Sequence, residues 1–168
     1  MSITIAKANP QDAKELIEFL KIVGGETENL TFGSEGLPVT VEDEENYLEM
    51  LAKTDSSVML TAKKDGNIVG TASFSGMQRE RMKHRGELAI SVKKSEWGSG
   101  IGSLLMEHII DFAKNTAHAE IISLEVRSDN TRAISLYKKY GFEKIGVFKG
   151  FFKIDGKYVD CDYMNLYL

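Results

Sequence analysis

The chain has 168 residues, of which 42% are hydrophobic and 27% charged, with a net charge of −4. A chain of this size buries roughly 70% of the surface it exposes when unfolded, so one domain with one core suffices. The acidic balance argues against a broad polyanion-binding surface, and hence against nucleic acid as a partner. A single cysteine, Cys161, leaves no disulfide framework and no thiolate set for a metal. No run of about 18 apolar residues occurs, which predicts no membrane span and makes the cytoplasm the default location.

Taken in chain order, residues 3–7 alternate as a strand, and Asn9-Pro10 opens a helix with the apolar stripe Leu16, Ile17, Phe19, Leu20 and Val23, which Gly24-Gly25 is expected to end. Residues 26–38 are irregular. Thr40 and Asp43 form an N-terminal capping signature for a second helix reaching about Lys53. Residues 57–63 and 67–75 read as a hairpin across Asp65-Gly66. The basic cluster Arg79, Arg81, Lys83, His84 and Arg85, broken by Glu80, reads as a solvated connection.

A strand over residues 87–92 then feeds the turn Trp97-Gly98-Ser99-Gly100-Ile101-Gly102, which feeds a helix carrying Ile101, Leu104, Leu105, Ile109, Phe112 and Ala113, with His108 on the same stripe. His84, His108 and His118 have no ligand spacing, so no metal is expected. Residues 121–126 form a further strand, residues 130–140 an amphipathic helix closed by Gly141, and residues 142–151 and 158–167 a final hairpin around Asp155-Gly156. Without repeats or linkers, residues 1–168 are read as one domain.

Glycines at alternate positions between a strand and a helix let the backbone approach an anion, toward which the first helical N–H groups and the positive end of the dipole point. A nucleotide P-loop needs Gly-Lys-Ser/Thr after its last glycine, but Ser103-Leu104 follows Gly102. A dinucleotide fingerprint read from Gly98 needs glycine where Ser103 stands, although Glu120 lies near the distance of its ribose-binding acid.

The turn resembles the pyrophosphate-binding Gln/Arg-x-x-Gly-x-Gly/Ala signature of the GNAT N-acetyltransferase superfamily, with Trp97 at the position usually held by Gln or Arg. The segment from Val126 to Phe142, which includes Asn130, Ala133, Leu136, Tyr137 and Gly141, is similar to the superfamily's N-x-x-A-x-x-L-Y-x-x-x-G-F segment. The resemblance implies a mixed, mostly antiparallel α/β (α+β) fold with about seven strands and four helices, and acetyl-CoA as cosubstrate. It places the pyrophosphate on Trp97, Gly98, Ser99, Gly100, Ile101, Gly102 and Ser103, and the pantetheine arm along the main chain of Ile90, Ser91 and Val92 and against Asn130 and Ala133. Tyr137 then protonates the departing thiolate, and Glu87 matches a region where several relatives place a general base.

Helical spacing puts Asn130, Ala133, Ile134 and Tyr137 on one face, and a phenol is suited to protonating a thiolate. The implied reaction is direct attack of a primary amine, with Cys161 as packing and not a nucleophile. The acceptor is expected to be a small amine or amino-acid-like molecule recognised by residues 26–38, the second helix and the last hairpin. Acetylation of protein N-termini and a non-catalytic acyl-CoA-binding role remain alternatives. Glu26, Glu28, Glu35 and the run Glu42-Asp43-Glu44-Glu45 read as solvated surface, and an exposed edge strand offers a possible homodimer contact.

Overall fold

The computed structural model describes residues 2–168. Its elements are β1 (Ile3–Lys7), α1 (Ala13–Glu26) preceded by a 3-10 turn at Pro10–Asp12, α2 (Val41–Leu51), β2 (Ser57–Lys64), β3 (Asn67–Gly76) and β4 (Arg85–Val92), then α3 (Ile101–Asp111) extended by a π turn at Phe112–Thr116, β5 (Ile121–Arg127), α4 (Thr131–Lys139), β6 (Glu143–Ile154) and β7 (Lys157–Tyr167). The sheet order is β1-β2-β3-β4-β5-β7-β6, and only β4 and β5 pair in parallel. The expected mixed sheet of seven strands with four helices is present.

Local chemistry explains the boundaries. The Thr40 hydroxyl accepts from the Asp43 N–H at 3.1 Å while the Asp43 carboxylate accepts from the Thr40 N–H at 2.9 Å, so two orphan donors of α2 are satisfied reciprocally. Asp65-Gly66 and Asp155-Gly156 both hold the paired positive φ values (50° and 83°, 49° and 77°) of tight hairpin turns.

Two expectations are corrected. Helix α1 does not stop at Gly24-Gly25 but continues to Glu26. A Cβ on Gly24 would lie 2.1 Å from the Gly33 carbonyl oxygen, so this glycine serves the return of the following loop over the helix and not its termination. His108 is exposed, its Nδ1 2.8 Å from the Leu104 carbonyl, and Leu104 is 36% exposed. The buried stripe of α3 is Ile101, Leu105, Met106 and Ile109.

Strand alternation sorts the sheet into two faces. Leu60, Ala72, Phe74, Leu88, Ile122, Leu124, Val126 and Met164 pack with α3 and α4. A second cluster forms where Leu16, Phe19, Val23, Leu48 and Leu51 of α1 and α2 meet Ile68. The residues between the apolar ones, among them Ser73, Glu87, Ser91 and Glu125, are carried on the α1 side of the sheet and line a cleft.

Candidate active site

The cleft arises because a ladder stops. β4 and β5 pair only at Arg85–Ile121, Gly86–Ile122 and Glu87–Ser123, after which the two strands part. The resulting space, about 1410 Å³, runs from the glycine turn past Tyr137 to the loop after α1. That volume exceeds the roughly 300–1,000 Å³ typical of one small-ligand site, as suits a cleft holding two reactants.

At one end stands the turn. Gly98 and Gly100 take φ of 79° and 89°, conformations that side chains resist, and α3 starts immediately after them with no side-chain cap on its first N–H groups. Trp97, Gly98, Gly100, Ile101, Gly102 and Ser103 line the cleft with Ile90, Ser91, Val92, Asn130, Ala133 and Tyr137. Ser99 does not: its hydroxyl turns back to donate to the Glu96 carbonyl at 2.6 Å. The Trp97 indole N–H donates to the Val92 carbonyl at 2.9 Å, which ties the ring to the end of β4.

Asn130 is placed differently from the helical face expected of it. It precedes α4 as its N-cap, with φ −80° and ψ 73°, and its Oδ1 accepts from the Ala133 N–H at 3.3 Å. With the oxygen used in the cap, the amide NH₂ is the group left for the cleft. Tyr137, 6% exposed, packs against Phe142 with ring centroids 5.8 Å apart. Burial pushes its phenol well above the ordinary tyrosine range, which keeps it a proton donor.

The other end holds a feature that residue spacing alone did not reveal. Glu125 follows Ser123, the parallel partner of Glu87, by two residues and so shares its face. Across the antiparallel ladder it is opposite Tyr163. Desolvation raises the pKa of Glu125, and the Glu87 charge raises it further. Three hydroxyl-bearing residues of β3, Thr71, Ser73 and Ser75, line the same floor, while Leu20, Val23, Leu30 and Phe32 supply an apolar wall. Arg127 fastens that wall: its guanidinium binds Asp129 through two bonds of 2.7 and 3.0 Å and donates to the Glu28 carbonyl at 3.1 Å. Glu28 and Glu26, expected as plain surface, thus have structural duties, Glu26 accepting from the Lys94 N–H at 2.8 Å.

Comparison with known proteins decides the family. Residues 26–142 match the acetyltransferase (GNAT) family. The chain belongs to that family. It is 36% identical over 118 residues to the L-amino acid N-acetyltransferase AaaT of Escherichia coli, covering 70% of this chain and 73% of that one. A GNAT-family acetyltransferase from Streptococcus pneumoniae superposes with a TM-score of 0.96 at 33% identity, over 99% of this chain and 100% of that one. The putative acetyltransferase yncA of Salmonella typhimurium, whose structure holds its cofactor acetyl-CoA, shares the fold with a TM-score of 0.86 at 20% identity, over 100% and 95% of the two chains. No helix of this acetyltransferase is long and apolar enough to cross a membrane among the described residues.

Proposed function

We propose that this acetyltransferase moves the acetyl group of acetyl-CoA directly onto the primary amine of a small, amino-acid-like acceptor. One observation carries the reading: a single cleft is lined by the glycine turn, a buried phenol and a pair of carboxylates. The turn N–H groups take the pyrophosphate, the parted β4 edge takes the pantetheine amides as an added strand would, and the thioester reaches Tyr137.

An ammonium acceptor is held at the carboxylate end and gives one proton to Glu125, whose raised pKa suits it to the task better than an ordinary carboxylate. The free amine attacks the thioester carbonyl, the C=O bond opens to an oxyanion, and its collapse breaks the C–S bond. The thiolate takes the Tyr137 proton, and the second amine proton, relayed through water, restores the phenol and leaves an amide and a thiol. Glu87 assists by raising the basicity of Glu125 and by helping to hold the cation. The apolar wall of Leu20, Val23, Leu30 and Phe32 favours an acceptor with a hydrocarbon side chain, and the relative AaaT acts on L-amino acids by its name.

Thiol release from acetyl-CoA, measured against L-amino acids, polyamines, amino sugars and short peptides, tests this. Turnover confined to amino acids with apolar side chains is expected. Turnover with peptides alone supports the N-terminal reading, and acetyl-CoA binding without turnover on any amine overturns the enzymatic one.

A further inference from the structure

The charges lining the cleft are mostly spoken for. Arg127 is bound by Asp129 and Glu28, Glu96 is paired with Lys64 at 2.9 Å, and Glu26 caps a backbone N–H. At the cofactor end one cation stands out. Arg132, exposed in the first turn of α4, has no carboxylate within ion-pair distance among the described residues, and its guanidinium sits 4.1 Å from the centre of the Trp97 ring. The ring cannot swing freely, because its N–H is tied to the Val92 carbonyl. Lys94 approaches the same ring at 5.9 Å.

This placement is unfavourable by itself. A cation in the first turn of a helix opposes the dipole, and α4 has no acidic residue there to offset it. Such an arrangement is stabilised by a bound anion. On the proposed reading the turn N–H groups at the start of α3 take the pyrophosphate, which leaves the third phosphate of coenzyme A, on the ribose 3′ oxygen, without a partner from the turn. The turn from Trp97 to Gly102 carries no basic residue, and α4 brings one over the face of Trp97.

We propose that Arg132, held over the Trp97 ring, binds the 3′-phosphate of coenzyme A and makes the enzyme discriminate against donors lacking it. The indole positions the guanidinium, whose fork of N–H donors suits phosphate oxygens in a way a lysine at this position would not reproduce. The inference rests on acetyl-CoA as the donor.

Calorimetric titration of the wild-type protein and the Arg132→Ala and Arg132→Lys variants with acetyl-CoA and with 3′-dephospho-acetyl-CoA tests it, with circular dichroism to confirm folding. The wild type should prefer acetyl-CoA by about tenfold, the size of one charge-assisted contact at a partly solvated site. Arg132→Ala should lose that preference through weaker acetyl-CoA binding alone, with affinity for the dephospho compound unchanged, and Arg132→Lys should keep only part of it. An unchanged preference in Arg132→Ala, an equal loss for both ligands, or no preference in the wild type overturns the assignment. Wild-type protein that binds neither ligand overturns the donor itself.

Discussion

Glu87 and Glu125 occupy one face of neighbouring strands, a single same-face step apart along the sheet, at the point where the ladder between those strands stops. Because desolvation and the Glu87 charge both raise the Glu125 pKa, Glu125 is protonated, and inert as a base, at a higher pH than an ordinary carboxylate. Activity should therefore fall as pH falls through that raised value. Glu87→Gln removes the repulsion, lowers the Glu125 pKa and should move the acid limb of the kcat/KM profile to lower pH. Glu125→Gln should cost on the order of 10²-fold in kcat. An acid limb that neither substitution moves would remove the pair from the reaction.

Tyr137→Phe retains the ring that packs on Phe142 and loses only the hydroxyl. Stability and acetyl-CoA affinity should stay within about twofold of wild type, while kcat falls by roughly 10²-fold or more, as expected for a lost general acid. An unaltered kcat would reduce Tyr137 to a packing residue.

Gly24→Ala tests the contact between α1 and the loop after it. The new methyl would lie 2.1 Å from the Gly33 carbonyl oxygen and 3.0 Å from the Phe32 ring, so the loop must move. Overpacking of this kind costs about 1–3 kcal/mol, and the melting temperature should drop. Since Phe32 and Leu30 line the cleft where the acceptor is proposed to sit, the acceptor KM should rise severalfold with the acetyl-CoA dissociation constant unchanged. Equal damage to both ligands would show that the loop does not serve the acceptor alone.

Cys161 is 1% exposed, and burial, with the Glu125 charge as a smaller cause, pushes its thiol up to about 11. At neutral pH it is a thiol and a poor nucleophile. Cys161→Ala should keep near wild-type kcat, and mass spectrometry of the enzyme mixed with acetyl-CoA alone should show no added acetyl group. A stable acetyl-enzyme lost in that variant would demonstrate a covalent route.

Elements whose signals are local were legible in the sequence: the Thr40 and Asp43 cap, both Asp-Gly hairpins, and the glycine turn between strand and helix. Features that depend on how distant segments meet were not. Residues 121–126 read only as a strand; that Ile122, Leu124 and Val126 are buried while Glu125 faces the cleft comes from the structure. Gly24 looked like a helix stop because the segment needing its missing Cβ lies nine residues on. Asn130 fits helical spacing with Tyr137 equally well as a cap or as a helical residue, and only its backbone angles separate the two.

The parting of β4 and β5 reaches beyond catalysis. Every second backbone amide over residues 88–92 points away from β3, into the space where a continuous sheet would supply a partner. With the donor bound these amides should exchange slowly with solvent, and without it they should be among the faster in the sheet. Binding at a hundred times the dissociation constant adds about 2.7 kcal/mol to the stability of the folded state. A cell short of acetyl donor would then hold an enzyme that is not merely idle but shorter-lived, so supply of the donor would govern how much of this protein persists as well as how fast it works.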